Sequence, residues 1–149
     1  MNVPAETPLH AYFSDRFAHQ LRSLLDSRAQ VREHKPIILA DGSMPVPDLA
    51  IVQPLDTVYL EHHPQPNNIY WLIDYVENDT EQAMIERSAP YAAAEIQDYW
   101  IVHLKHQQLM TFCLPIAGQY QHQHCLTSGT AAPTTFLDIV IPVERLFTP

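Results

Sequence analysis

Two aspartates carry the chemistry that this sequence offers most clearly. Asp48 and Asp74 each adjoin an apolar run, 49–52 and 69–73 respectively, and they lie 26 residues apart. If the two runs are neighbouring strands, both carboxylates face one cavity, where they repel each other unless a cation lies between them. A hard divalent cation such as Mg²⁺ or Mn²⁺, with water and a backbone carbonyl completing its shell, suits such a pair.

Arg87 is the protein cation that the sequence places nearest to these acids, on a helix that follows Asp74. A purely structural interpretation is equally consistent with the residue types. In that interpretation Asp48 caps a turn after Pro47, and Asp74 forms an ion pair with Arg87. The residues alone leave both interpretations open.

The segment from Ile69 to His103 must position this chemistry. Five bulky residues, 69–73, indicate a strand buried on both faces, and Asp79 with Gln82 three residues later is typical of a helix start. A second apolar run, 99–102, ends at His103. Strand, helix and strand in this order predict a right-handed βαβ crossover with parallel strands.

The remaining elements are expected to cover and extend that sheet. An amphipathic N-terminal helix carries one apolar stripe, and strands are predicted at 31–39, from Asp48 to Val52, at 108–113 and 120–125, and as a last buried strand at 136–141. The stripe consists of Phe13, Phe17, Leu21, Leu24 and Leu25. The sequence therefore predicts an α/β fold in a single domain covering residues 1–149.

Several histidines are candidate metal ligands. His122 and His124 would share one face of a strand and could bind a transition metal, but a polar, solvent-facing edge strand is the favoured interpretation. His10 and His19 are interpreted as solvated residues on a helix flank. The two cysteines, Cys113 and Cys125, are expected to be reduced thiols.

Composition restricts the possible partners. The net charge is −9 and only two lysines are present, which argues against a broad basic surface for nucleic acid. Residues 1–6 have no basic start and no apolar core, and no apolar run approaches membrane-spanning length, so we expect a cytoplasmic location without a signal peptide or membrane span.

Several fragments, in consecutive order, resemble one family. They resemble the putative restriction endonuclease family within the PD-(D/E)xK nuclease superfamily, over nearly the whole chain. The fragments are Pro47–Val52, Tyr59–Pro64, Leu72–Asp74, Tyr91, Ile96, Tyr99–Val102 and Asp138–Pro142. The resemblance implies a restriction-endonuclease-like core, in which a mixed β-sheet is flanked by the N-terminal helix and the βαβ crossover helix.

The resemblance also implies a site. Asp48 corresponds to the first metal ligand, Asp74 to the second acidic residue, and the carbonyl of Tyr75 to a third metal contact. Arg87 stands at the position of the lysine that positions or deprotonates the attacking water. The implied chemistry is Mg²⁺- or Mn²⁺-dependent phosphodiester hydrolysis, with DNA as the likeliest substrate.

Departures from the family pattern surround this site. Arg87 replaces a lysine and, being always protonated, cannot act as a base, although it can hold a phosphate. Asp74 is one methylene shorter than the common glutamate, Glu95 replaces a common glycine, and His103 stands where aspartate is frequent. Pro90 is expected to kink the crossover helix. The N-terminal extension that many relatives carry before the first helix, with its own acidic residue, is expected to be missing.

Two classes of function follow. The first is a metal-dependent endonuclease with a degenerate site, weakly active or inactive, formed by Asp48, Asp74, Tyr75 and Arg87. The second is a noncatalytic nuclease-fold module for oligomerisation or partner binding. By analogy with nucleases that work as dimers, and because edge strands are exposed, a homodimer is also expected.

Overall fold

A mixed six-stranded sheet forms the centre of the computed structural model, which describes residues 6–149. The expectation about a signal peptide therefore lies largely outside the described residues. The helices and strands are α1 (Pro8–Leu25), β1 (Gln30–Glu33), β2 (Leu49–Val52), β3 (Ile69–Val76), α2 (Glu81–Ala93), β4 (Asp98–His103), β5 (Gln108–Ile116), β6 (Gln119–Leu126), β7 (Thr130–Ala131) and β8 (Ile141–Pro142).

The strands of this sheet lie side by side in the order of the sequence, from β1 to β6. β3 and β4 are parallel, with α2 as the crossover between them, and all other neighbours are antiparallel. A separate pair, β7 and β8, lies outside the sheet. The predicted α/β fold, with a mixed sheet flanked by an N-terminal helix and a crossover helix, is confirmed.

The central strand β3 is buried on both faces, as its continuous apolar run predicts. On one face Trp71, Ile73 and Tyr75 belong to the core that includes the apolar stripe of α1. On the other face Leu72 and Val76 belong to the core that includes residues of α2. Of the predicted α1 stripe, Leu24 does not take part, because half of its surface is exposed.

Helix α2 begins one residue later than predicted. Thr80 is the N-cap, and its hydroxyl accepts a hydrogen bond from the Ala83 N–H at 3.1 Å. Asp79, the predicted cap, instead accepts a hydrogen bond from Arg87 on its carboxylate, and its carbonyl oxygen contacts His103 Nε2. The helix continues through Pro90 to Ala93, so the proline lies in its last turn and does not end it.

The strand predicted at 31–39 is wrong beyond Glu33. His34 turns the chain with a φ of +52°, and Pro36 has no N–H to donate to a ladder. The chain then folds back on itself, where the N–H groups of Ile37 and Leu39 donate to the carbonyls of Pro45 and Ser43. Two apolar side chains of this loop are still buried, because they belong to the core on the α2 face of the sheet.

The buried strand predicted at 136–141 is also wrong. Only Ile141 and Pro142 form a strand there, paired with β7. The preceding segment is held instead by Asp98, whose carboxylate is 1% exposed and accepts four hydrogen bonds of 2.9–3.0 Å from the N–H and hydroxyl groups of Thr134 and Thr135. Side-chain hydrogen bonding therefore replaces strand pairing in this part of the chain.

Strands β1 and β6 are the edges of the sheet. β6 is largely exposed and polar, as predicted, and the rings of His122 and His124 stack at 6.2 Å on one of its faces. Cys113 and Cys125 are free thiols, as expected. Within residues 6–149 no helix has both the length and the apolar character to cross a membrane. The homodimer stays a prediction.

The end of α2 allows a test of backbone strain. Glu95 has a φ of +61°, and the N–H groups of Glu95 and Ile96 donate to the Ala92 and Tyr91 carbonyls, the pattern of a helix end at which glycine is preferred. Because a left-handed conformation costs a side-chain-bearing residue roughly 1–2 kcal/mol, we expect Glu95→Gly to raise the free energy of unfolding by about 1 kcal/mol.

Urea unfolding measures this change. The matched control is Ala89→Gly, at an exposed position inside the same helix, which should lower the free energy of unfolding by roughly 0.5–1 kcal/mol. Equal destabilisation by both substitutions would contradict the strain at Glu95.

Candidate functional site

The two predicted acids meet at one end of the sheet. The antiparallel register of β2 and β3 pairs Leu49 with Ile73, so its continuation by one residue places Asp48 opposite Asp74. Asp74 lies inside β3 rather than after it, because the strand continues to Val76. The structure therefore brings together the two carboxylates that the sequence singled out.

Hydrogen bonds in both directions lock the two acids to each other's strands. The Asp48 N–H donates to Asp74 Oδ1 at 3.0 Å, and the Tyr75 N–H donates to Asp48 Oδ2 at 2.7 Å. Each carboxylate is thus oriented by a backbone donor of the neighbouring segment. Tyr75 contributes its N–H to this arrangement, and a metal contact through its carbonyl stays a prediction.

Asp74 is enclosed by protein. Its second oxygen, Oδ2, accepts a hydrogen bond from the Tyr99 hydroxyl at 2.7 Å, and the residue is 6% exposed. Burial raises the pKa of Asp74, the Asp48 charge raises it further, and the two hydrogen bonds oppose this rise. Both oxygens of Asp74 therefore accept hydrogen bonds, and one of these bonds holds the backbone of Asp48.

Asp48 Oδ1 points towards two histidines. His10 Nε2 lies 3.0 Å and His34 Nδ1 lies 3.6 Å from this oxygen. The Asp48 carboxylate raises the pKa of His10, and burial of the ring opposes part of this rise. Despite the short distance, His10 Nε2 is buried without a hydrogen bond of good geometry. The interpretation of His10 as a solvated residue is therefore wrong.

His34 reaches this position through an unusual backbone. It follows β1 with a φ of +52°, and its N–H donates to the Asp48 carbonyl at 3.1 Å. Its Nε2 also forms an ion pair with the Glu6 carboxylate. Side-chain-bearing residues adopt the left-handed region at a cost, and such strain is concentrated at functional sites.

The first turn of α1 delivers the remaining groups. Thr7 caps the helix by accepting the His10 N–H at 3.2 Å, and its hydroxyl donates to Glu77, which follows β3. This contact ties the helix start to the strand that carries Asp74. Glu6 lies two residues before α1, and the expectation about the relatives' N-terminal extension stays a prediction.

Arg87 does not pair with Asp74. Its Nη2 lies 3.2 Å from Asp79 Oδ2, and its side chain is 43% exposed. The structural interpretation in which Asp74 forms an ion pair with Arg87 is therefore wrong. Arg87 lines a cleft of about 390 Å³ together with Tyr91 and residues of the 39–45 loop.

His103 is buried and lies outside the site. It is 1% exposed, its Nδ1 accepts the His106 N–H at 3.2 Å, and its Nε2 lies 2.9 Å from the Asp79 carbonyl oxygen. Because one nitrogen accepts, the other must carry the proton that it donates to this oxygen. His103 therefore holds the start of α2 against β4.

The side chains around Asp48 have the composition of a metal site. Glu6, His10, His34 and Asp48 each offer one ligand atom, and these four atoms lie within 4.8 Å of one another. Two imidazoles and two carboxylates suit a divalent cation, and a buried nitrogen without a hydrogen bond is a free donor. Glu6 and His34 were not predicted from the sequence, because they are separated from Asp48 along the chain and their spacing matches no metal-binding motif.

The comparisons with known proteins agree with this architecture. The family model Uma2, described as putative restriction endonuclease, matches residues 1–144. The chain belongs to the Uma2 family. The predicted resemblance is thereby confirmed.

One solved structure is similar to this Uma2 chain over 99% of its length and 84% of the other chain, with a TM-score of 0.74 and 13% sequence identity. It is described as a putative nuclease belonging to DUF820 from Anabaena variabilis. At this identity the likeness supports the fold. No curated protein matches the chain.

The hydrogen bond from Tyr99 to Asp74 can be tested by removing one atom. Because hydrogen bonds to a charged group contribute about 1.5–3 kcal/mol, we expect Tyr99→Phe to lower the free energy of unfolding by roughly 2 kcal/mol. Tyr120→Phe is the control, since the Tyr120 hydroxyl donates to the neutral Ile96 carbonyl at 2.7 Å and should contribute about 1 kcal/mol. Equal losses in chemical denaturation would argue against a charged Asp74 as the acceptor.

Proposed function

We propose that this protein is a metal-dependent endonuclease with weak activity, which hydrolyses phosphodiester bonds in DNA. The proposal is carried by the interlocked pair of Asp48 and Asp74 at the end of a nuclease-like sheet. Membership of a family described as putative restriction endonuclease supports the reaction class.

We propose Asp48, Asp74 and the Tyr75 carbonyl as the groups that would hold Mg²⁺ or Mn²⁺. A bound ion would activate water and neutralise charge that develops on the phosphate. Oxygen ligands are those that both ions prefer. Within this set Asp48 is the principal ligand, because its Oδ1 has no backbone donor while both oxygens of Asp74 accept hydrogen bonds.

The protein's own residues prepare the site before substrate arrives. The Tyr75 N–H fixes Asp48, so its Oδ1 is already oriented towards the two histidines, and no reorganisation of this carboxylate is needed. Thr7 and Glu77 hold the first turn of α1 over the same end of the sheet. Arg87, released from Asp79, could bind a phosphate through its two nitrogens but could not take a proton.

Weak binding of DNA is expected from charge. A net charge of −9 repels a polyanion, so cations at the site would supply the local attraction. Binding should therefore decrease in the absence of divalent metal.

A noncatalytic nuclease-fold module for oligomerisation or partner binding is the second candidate. Two observations favour it: Arg87 is paired with Asp79 at the surface, and both oxygens of Asp74 are engaged by protein donors. In this case the acids would serve mainly to join β2 to β3.

Nicking of supercoiled plasmid DNA separates the two candidates. With Mn²⁺ or Mg²⁺ we expect slow nicking that Asp48→Ala reduces by at least about 100-fold, as for the loss of a principal group of a reaction centre. The control is Asp138→Ala, which removes a surface carboxylate paired with Arg28. Nicking that survives Asp48→Ala would come from a contaminant, and the endonuclease proposal would fail.

Restoring the lysine tests the role of position 87. A lysine can exchange a proton with water where arginine cannot, and general acid–base catalysis contributes about 10²–10⁴-fold, so Arg87→Lys should raise the nicking rate at least tenfold. The double variant Arg87→Lys with Asp48→Ala should show no gain. A single variant that cleaves no faster than the natural chain would exclude arginine at this position as the cause of weak activity.

A further inference from the structure

We propose that Glu6, His10, His34 and Asp48 form a binding site for a first-row transition-metal ion, such as Zn²⁺, Co²⁺ or Mn²⁺, which discriminates against Mg²⁺. This site uses Asp48 Oδ1 and lies on the α1 side of the acidic pair. It is defined by metal binding alone and does not require that the protein cleave DNA.

The distances between the candidate ligand atoms are suited to one ion. Ligands at about 2.0–2.2 Å from a metal lie about 3.0–3.5 Å from their nearest neighbours in the coordination shell. His10 Nε2 and His34 Nδ1 lie 3.0 and 3.6 Å from Asp48 Oδ1. All four ligand atoms fall within 4.8 Å of one another, so small side-chain rotations would bring them onto one centre.

The strongest sign of a ligand is His10 Nε2. This atom is shielded from solvent and makes no hydrogen bond of good geometry, although a carboxylate oxygen lies 3.0 Å away. A buried polar atom without a partner is costly, so natural structures rarely retain one without a reason. A nitrogen lone pair directed at a shared metal ion satisfies this atom without requiring a hydrogen-bond angle.

The backbone at His34 determines where its ring lies. Its left-handed φ of +52° places the ring between the Glu6 and Asp48 carboxylates, and its N–H is fixed on the Asp48 carbonyl. The ring is thereby held within reach of both carboxylates.

Charge and ligand type decide which ion fits. Two carboxylates and two neutral imidazoles balance a divalent cation. Imidazole nitrogens suit zinc and other transition ions, whereas Mg²⁺ requires oxygen ligands and keeps most of its waters. By the general order of affinities, Co²⁺ should bind more tightly than Mn²⁺.

Metal binding to the full chain, freed of metal by dialysis against EDTA, tests the proposal. Zn²⁺, Co²⁺, Mn²⁺ and Mg²⁺ are each titrated while the melting temperature is followed, and the visible absorption of Co²⁺ reports nitrogen ligation directly. At 100 times the dissociation constant, we expect Zn²⁺ or Co²⁺ to raise the melting temperature by about 5–10 °C. Mg²⁺ at the same concentration, bound through oxygen ligands alone, should raise it by less.

His10→Gln and His34→Gln should each weaken Co²⁺ binding at least tenfold, because each removes one of four ligands. His34→Gly is a second variant at that position, since glycine accepts the left-handed backbone and keeps the fold intact while removing the ligand. The matched control is the double variant His122→Gln with His124→Gln, which removes the exposed histidine pair of β6 and should leave Co²⁺ binding unchanged.

Unchanged Co²⁺ binding in His34→Gly or His10→Gln would overturn the proposal. So would the absence of saturable binding in the natural chain, or stabilisation by Mg²⁺ equal to that by Zn²⁺. Histidine-dependent binding without any nicking of DNA would support this site while refuting the endonuclease. Nicking that needs Asp48 and Mg²⁺, together with no histidine-dependent binding of Co²⁺, would do the opposite.

Discussion

Two backbone-to-carboxylate hydrogen bonds across one strand junction hold this molecule's chemistry in place. Asp48 and Asp74 would repel each other if each were free, since both are acidic and almost buried. Instead, the Asp74 carboxylate accepts a hydrogen bond from the Asp48 N–H, and the Asp48 carboxylate accepts one from the Tyr75 N–H. The same bonds extend the pairing of β2 with β3, so the arrangement of the site and the integrity of the sheet have a common cause.

This junction also explains why the acids differ in environment although they are adjacent. Asp74 faces the α2 side, where the Tyr99 hydroxyl closes off its second oxygen and burial raises its pKa. Asp48 presents Oδ1 to the first turn of α1, where histidines and Glu6 gather. The Asp74 carboxylate therefore has a structural role, whereas the Asp48 carboxylate is available to a ligand.

Much of this arrangement could be predicted from local sequence. Continuous apolar runs identified β2, β3 and β4, and their spacing identified the crossover helix, because burial on both faces leaves a clear pattern. Asp48 and Asp74 could be paired on the same grounds. The histidines and Glu6 could not, because their meeting depends on a left-handed turn at His34 and on where α1 docks, neither of which has a periodic signature. The ion pair of Arg87 with Asp79 could not be predicted either, because the sequence pattern favours Asp79 as a helix cap.

The order of strands in the sheet has a kinetic meaning. Every strand from β1 to β6 pairs with its neighbour in sequence, so no pairing must wait for a distant part of the chain. Loop closure between successive strands is inexpensive, and topologies with short sequence separations fold faster than those with distant partners. The sheet can therefore grow one strand at a time, with the junction of β2 and β3 closing over the segment 53–68.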